Sequence, residues 1–285
     1  MLKQRVITAL VLLAILLPAL FYHASAPFCA LVLVLIGAAA WEWARLNGCG
    51  FSAALFSGLV CVLLCLASWW LGLLEQSLVL LWLLVGAAWV LLGAWVLRGG
   101  VAAWPGRARW LRLLAGVLAL WLAWLALAQA RVIGINFLLS ILVLVWVADI
   151  SAYFAGRAWG GRFSRSKLAP SISPGKSWEG VWGGMAGVVI LAFGWRWADA
   201  AWAIAVPSLY TRIGQQGFWL ALLAAVFMAA MSVVGDLLES LVKRSAGVKD
   251  SSGLLPGHGG VLDRVDALLP TLPLAMMLYS LFKPG

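Results

Sequence analysis

Charge is scarce in this chain. Only 11% of its 285 residues are Asp, Glu, Lys or Arg, against roughly a quarter in soluble globular domains. That shortage excludes an ordinary water-soluble fold. Histidine is limited to His23 and His258, and cysteine to Cys29, Cys49, Cys61 and Cys65, with no C-x-x-C spacing. A disulfide framework and a zinc site are excluded on that count. Cys61 and Cys65 lie one turn apart in an apolar run and read as small core residues. Acid is scarcer than base, with ten Asp and Glu against twenty Lys and Arg, a net charge of +10. In a soluble protein that surplus would raise nucleic acid as a partner. Here Lys and Arg read as markers of cytoplasmic loops, and no nucleic-acid partner is expected. The alternating apolar and polar pattern of a membrane β-barrel is missing as well.

What fills the space is hydrocarbon. The chain is 65% hydrophobic with a mean hydropathy of +1.03, and apolar runs of about 20 residues, the length that spans a bilayer, recur along it. Backbone in lipid must satisfy its own hydrogen bonds, so these runs are expected to be helices. The fold class is therefore all-α, a polytopic membrane protein of about nine transmembrane helices near 6–22, 27–45, 53–73, 77–97, 111–128, 132–155, 179–195, 218–242 and 266–282. The 19 tryptophans read as interfacial anchors and packing; Trp69, Trp70, Trp104 and Trp110 flank predicted helix ends.

The nine-helix reading fixes an orientation. One set of alternate loops carries Lys3, Arg5, Arg45, Arg98, Arg107, Arg109, Arg112, Arg157, Arg162, Arg165, Lys167, Lys176, Lys243, Arg244, Lys249 and Arg264; the other carries Arg131, Arg196, Arg212 and Lys283. This asymmetry places the N-terminus and residues 243–266 in the cytoplasm and the C-terminus outside. The opening "MLKQRVITALVLLAILLPALFYHASAP" resembles a cleavable signal, but a retained first span fits the loop parity better.

Eight of the ten acids, Asp149, Glu179, Asp199, Asp236, Glu239, Asp250, Asp263 and Asp266, fall in the last 137 residues. Carboxylates within spans are costly and tend to line polar cavities. Residues 1–130 are therefore read as N-terminal scaffold helices, and 131–285 as a catalytic transmembrane region with cytoplasmic loops 156–178 and 243–265. Glu42 stands apart in the scaffold and is expected to pack or to pair with Arg45. In "VVGDLLESLVKR" the residues Asp236, Glu239, Ser240 and Lys243 share one helical face, a polar stripe that descends about 10 Å from the cytoplasmic end. A buried charge pair that only joins helices would have the same pattern.

The stretch "KRSAGVKDSSGLLPGHGGVLDRVD" follows. Gly259 and Gly260 precede a predicted helix that contains Asp263 and Asp266. Glycine-rich backbone ahead of a helix favours an anion, and carboxylates beside it suggest a divalent metal that binds phosphate oxygens. Magnesium suits this, since it takes carboxylates together with substrate phosphates. If the two helices are antiparallel neighbours, Asp236 and Asp263 can approach the same ion. Lys243, Arg244, Lys249 and Arg264 would neutralise a polyphosphate, or serve only as positive-inside anchors. His258, set between glycines, points to a phosphate or base contact. In the loop "GRAWGGRFSRSKLAPSISPGKSWEG", "GKS" at 175–177 is not a P-loop, because Pro170 stands where that pattern needs glycine; Ser173, Lys176 and Ser177 could still hold a nucleotide. Asp149 shares a face with Tyr153 and Gly156 and would border the same cavity.

The spaced pattern Ser240-x-x-Lys243-Arg244, Lys249-Asp250, Pro256-x-His258-Gly259-Gly260-x-x-Asp263-Arg264-x-Asp266 resembles the signature of phosphatidate cytidylyltransferase (CDP-diacylglycerol synthase), without departure across those 27 positions. "SPGKSWEG" at 173–180 and "ADISAYFAGRAWG" at 148–160 look like two further family segments, with Ser177 where Thr is the more frequent residue. The clear resemblance covers about the last 140 residues. It implies a Mg²⁺-dependent transfer in phospholipid synthesis, in which CTP and phosphatidic acid give CDP-diacylglycerol and pyrophosphate. By similarity, Asp236 and Asp263 hold the metal and act catalytically with Lys249 and Arg264. Ser173, Lys176, Ser177, Lys243, Arg244, Asp250, His258, Gly259, Gly260 and Asp266 would bind substrate. Asp250 and Asp266 would orient the basic residues or a second cation. The family also suggests a homodimer, and the resemblance places the protein in the inner (plasma) membrane with its site facing the cytoplasm. Rival readings are a CTP-using lipid kinase, a phosphotransferase acting on a lipid carrier, and, outside enzymes, an ion-coupled transporter; no inverted repeat supports the last.

Overall fold

The computed structural model describes residues 2–164 and 166–282. Arg165, Lys283 and the side chain of Lys3, three of the cations counted above, lie outside the described residues. The helices in chain order are α1 (Leu2–Phe21), α2 (Ala26–Leu46), α3 (Phe51–Trp70), α4 (Val79–Ala103), α5 (Arg109–Ile133), α6 (Ile135–Trp159), α7 (Trp178–Ala201), α8 (Leu209–Gly214), α9 (Phe218–Ser245), α10 (Leu262–Val265) and α11 (Leu268–Leu281). Among the described residues there is no β-strand, only the isolated bridges Ala169–Ser173 and Leu255–Gly259. Eight helices, α1 to α7 and α9, are long and apolar enough to cross a membrane. The protein is thus an all-α, multi-pass membrane protein, close to the expected nine spans.

The expected ninth span differs in detail. The helix predicted over 266–282 is α11 (Leu268–Leu281), and Asp263, expected inside that helix, lies before it. A four-residue α10 holds Asp263, and α11 follows with 14 residues. At 1.5 Å per residue, α11 covers about 21 Å, short of a bilayer core of roughly 30 Å. Pro270 sits in the first turn of α11, where the missing N–H of proline breaks no helix bond, while Pro273 lies inside the helix and removes one. The charged "LDRVD" segment is thereby set off from the buried apolar helix. The short α8 was not expected. Ser208 caps it, its hydroxyl accepting from Thr211 N, and the buried Asp199 accepts from Ser208 N and from Thr211 Oγ1.

Backbone contacts divide the chain into two interleaved units. The first comprises Met1–Gln76, Val101–Ile135 and Glu239–Asp266. In it α2, α3 and α5 form the packed centre, with α1 and α10 against α2. Gly116 of α5 lets the Trp43 indole come so close that a Cβ there would lie 1.9 Å from Trp43 Nε1. Trp124 is fully buried and donates to Cys29 O. The four cysteines are all buried and unpaired, as small core residues should be.

The second unit comprises Ser77–Gly100, Asn136–Leu238 and Ala267–Gly285. Its α6 and α7 approach through small residues. A Cβ on Gly183 would lie 2.1 Å from Ala155 Cβ, and one on Gly187 would lie 2.2 Å from Ser151 Oγ. Small residues are what permit such close helix contact where lipid removes the usual hydrophobic drive. α4 breaks at Gly100, where φ is +68°.

Candidate active site

Two polar clusters carry the residues picked out by the sequence. The first lies in the second unit. Ser177 ends an extended segment and caps α7, its Oγ accepting from Gly180 N. That cap fixes where the loop stops and leaves Lys176 just ahead of the helix. Lys176 Nζ donates to Asp236 Oδ2 at 2.5 Å, with the two side chains 26% and 30% exposed. Asp149 on α6 lies on the same cavity of about 430 Å³, together with Tyr153, Gly156, Lys176, Ser177 and Asp236. Arg157 Nη1 donates to the Tyr153 hydroxyl at its edge. The loop before α7 is pinned by Glu179, whose Oε1 accepts from the backbone N–H groups of Phe163 and Ser164. Ser173 contributes backbone to this loop: its N–H donates to Ala169 O and its carbonyl accepts from Lys176 N.

The second cluster lies in the first unit. Asp263 Oδ2 accepts from the backbone N–H groups of Ser251 and Gly260 and from Ser251 Oγ, while Oδ1 accepts from Lys243 Nζ at 2.6 Å. Lys243 is shared with Glu239, 2.5 Å away on the preceding turn of α9. Burial alone would raise the Asp263 pKa. The Lys243 ammonium and the N–H groups of Gly260 and Ser251 outweigh it and hold the carboxyl down at about 2. The glycines before it are needed for this approach. Gly259 has φ +82°, and a Cβ there would lie 2.7 Å from Asp263 Oδ2. The expected glycine nest ahead of the helix therefore holds this chain's own carboxylate.

The other predicted site residues are distributed around that loop. Arg264 Nε and Nη2 both donate to His258 O, so Arg264 and His258 brace each other. His258 Nδ1 is buried with no hydrogen-bond partner among the described residues. Arg244 donates to Val248 O. Lys249 and Asp250 are exposed, and Asp266 is half-buried just after α10.

One residue of this cluster was read differently from sequence. Glu42 does not pair with Arg45, whose Nη1 donates to Cys49 O. Its carboxylate accepts from Ser251 Oγ, Ser252 Oγ, Val261 N and Leu262 N. Its position in an apolar helix was the available signal; its partners lie more than 200 residues away and no local pattern names them. α1 also reaches the loop, through Arg5 Nε to Gly257 O and Thr8 Oγ1 to Pro256 O.

The donors present suit a small hard cation. Magnesium is usually held by one or two carboxylates together with substrate phosphates rather than by an all-protein cage. Among the described residues, no group of three or more His, Cys, Asp or Glu side chains is placed to cage a metal. Asp149 and Asp236 line a cavity with room beside them. Asp263 Oδ1 accepts one hydrogen bond, from Lys243, and so keeps acceptor capacity.

The chain matches the cytidylyltransferase family over residues 3–282. It is 44% identical to the phosphatidate cytidylyltransferase of Pseudomonas aeruginosa over 287 aligned positions, covering 98% of both chains. It is 47% identical over 146 residues to that of Haemophilus influenzae, 51% of this chain and 46% of the relative. With the Brucella abortus protein the identity is 42% over 149 residues, 52% of this chain and 48% of the relative. The chain therefore belongs to the phosphatidate cytidylyltransferase family and is a nucleotidyltransferase.

Proposed function

We propose that the protein converts CTP and phosphatidic acid to CDP-diacylglycerol and pyrophosphate, with Mg²⁺, at the cytoplasmic face of the inner (plasma) membrane. The observation that carries the reading is the state of Asp263, a carboxylate fixed on several sides in the signature loop and held ionised by Lys243. A carboxylate kept anionic within a basic loop is what a metal–polyphosphate complex requires.

In this reaction a phosphatidate oxygen forms the new bond to the α-phosphorus of CTP, and the bond from that phosphorus to the β-phosphate bridging oxygen breaks. The nucleophile is a phosphomonoester, largely dianionic near neutral pH with a second pKa near 6. No strong general base is needed. The protein's work is to bring two anions together and to balance charge along the displacement. Asp236, with Asp149 beside it on one cavity, and Asp263 in the signature loop are carboxylates that would each take Mg²⁺. Bound there, the ion would neutralise phosphate charge and help the pyrophosphate leave. Lys176 and Lys243 are positioned as exchangeable cations, each now on a carboxylate, that can turn to phosphate oxygens. Ser173, Ser177, His258, Gly259 and Gly260 shape the binding loops, while Arg244, Lys249, Arg264, Asp250 and Asp266 set charge around them. The dominance of Lys and Arg in one set of loops supports the cytoplasmic placement.

The test is product identity. Purified protein in lipid with CTP, phosphatidic acid and Mg²⁺ is expected to release pyrophosphate and CDP-diacylglycerol in equal amounts, and neither once the metal is chelated. Release of CDP with a newly phosphorylated lipid would replace this reading with the lipid-kinase one.

A further inference from the structure

Glu42 is the most completely enclosed carboxylate in the first unit, with 0% exposure. It lies about one turn before the end of the apolar helix α2 and is fully buried, where a charge is expensive unless hydrogen bonds surround it. Four donors do so, two on each oxygen. Oε1 accepts from Ser252 Oγ and Val261 N, and Oε2 from Ser251 Oγ and Leu262 N. These donors come from both arms of the glycine loop, residues 251–252 on one side and 261–262 on the other. Asp263 is the next residue after Leu262. Its Oδ2 shares Ser251 Oγ with Glu42, at 2.9 Å and 3.2 Å respectively. Gly260 has no side chain because Ser251 Oγ and Glu42 Oε1 already occupy the space, at 2.0 Å and 2.5 Å from where a Cβ would be.

We propose that Glu42 is a positioning residue for Asp263. From a scaffold helix it clamps both arms of the loop and thereby sets the direction of the carboxylate offered to the metal. The proposal rests on the reading of Asp263 as a metal ligand given above. It makes a chemical prediction about amide replacement. Each Glu42 oxygen meets one backbone N–H, so a glutamine must turn its NH₂ toward a donor on one side whichever way it flips. Glu42→Gln therefore unpairs one backbone N–H of the 261–262 arm, that of Val261 or Leu262, while keeping size and shape.

The test is Mn²⁺ titration of the full-length protein in nanodiscs, with metal alone, followed by the electron paramagnetic resonance signal of unbound Mn²⁺. Glu42→Gln is expected to weaken Mn²⁺ binding about tenfold, the scale seen when groups supporting a metal ligand are lost. Asp263→Asn should weaken it at least as much, and the double variant no more than Asp263→Asn alone, because Glu42 acts through Asp263. A purely structural role would lower the melting temperature and leave Mn²⁺ affinity unchanged. Wild-type affinity in Glu42→Gln, beside a weakened Asp263→Asn, overturns this proposal alone. Wild-type affinity in Asp263→Asn overturns the metal reading beneath it, and this proposal with it. If Glu42→Gln does not fold, Ser252→Ala carries the test: it removes a hydroxyl that meets Glu42 and not Asp263, and weakened binding supports the clamp while unchanged binding overturns it.

Discussion

Gly260 shows how little latitude the loop leaves at the scale of one residue. Any side chain there must displace Ser251 Oγ or the Glu42 carboxylate, both of which hold the loop. Gly260→Ala is expected to cost about 1–3 kcal/mol, the range for overpacking a closed site, and to reduce turnover. Thermal melting and a turnover assay on the same preparation check both. Asp263 gives a pH dependence. Its folded-state pKa of about 2 lies below the ordinary carboxylate value, so its contribution is present above about pH 4 and is lost as pH falls toward 2. At neutral pH that shift corresponds to roughly 2 kcal/mol. Acid unfolding of Asp263→Asn should show a weaker dependence over that window than wild type. Asp263, Lys243 and Gly260 could be picked from sequence because they share one short stretch. Glu42 and Ser251 could not be matched, since the hydrogen bond between them joins residues 209 positions apart.

At the scale of elements, the helices were legible wherever the apolar run was continuous. The long spans fall near their predicted ranges because hydropathy and length decide them. Their ends moved by several residues; α5 runs on to Ile133 and α7 to Ala201, since a helix continues past the lipid core wherever its backbone stays bonded. That Asp263 sits in a separate α10 rather than in the last helix was not legible, because the charged and apolar portions are contiguous in sequence and only the turn at 266–267 parts them. The start of α7 is set by its cap. Ser177→Ala should destabilise the protein by about 1 kcal/mol, as loss of an N-cap hydroxyl does, and should weaken CTP binding by loosening Lys176; nucleotide titration against melting temperature separates the two effects. The α6–α7 contact has no room to expand. Gly183→Leu, at a position whose Cβ would meet Ala155 at 2.1 Å, is expected to push the helices apart and abolish activity even though no polar group is touched.

At the scale of the molecule, the loop charges predict which face the site looks toward. All four native cysteines are buried, so an added one can be labelled against a quiet background. Val248→Cys, at an exposed position, should react with a membrane-impermeant thiol reagent only in inverted membrane vesicles. Trp202→Cys, exposed after the end of α7, should react only in right-side-out cells. The reverse result would turn the protein over and remove the cytoplasmic site. Family membership could be read from the 27-position signature because its charged and glycine residues lie in one loop. The division into interleaved units could not, since it depends on which helices pack together rather than on their order.

The most direct measurement is the rate of CDP-diacylglycerol formation by Asp263→Asn and Asp236→Asn beside wild type, each purified in lipid with CTP, phosphatidic acid and saturating Mg²⁺. Both variants are expected to fold in normal yield and to fall by roughly 10²-fold or more, the scale for removing a group that stabilises transition-state charge. Wild-type rates from either would contradict the assignment of these aspartates to the metal and to catalysis.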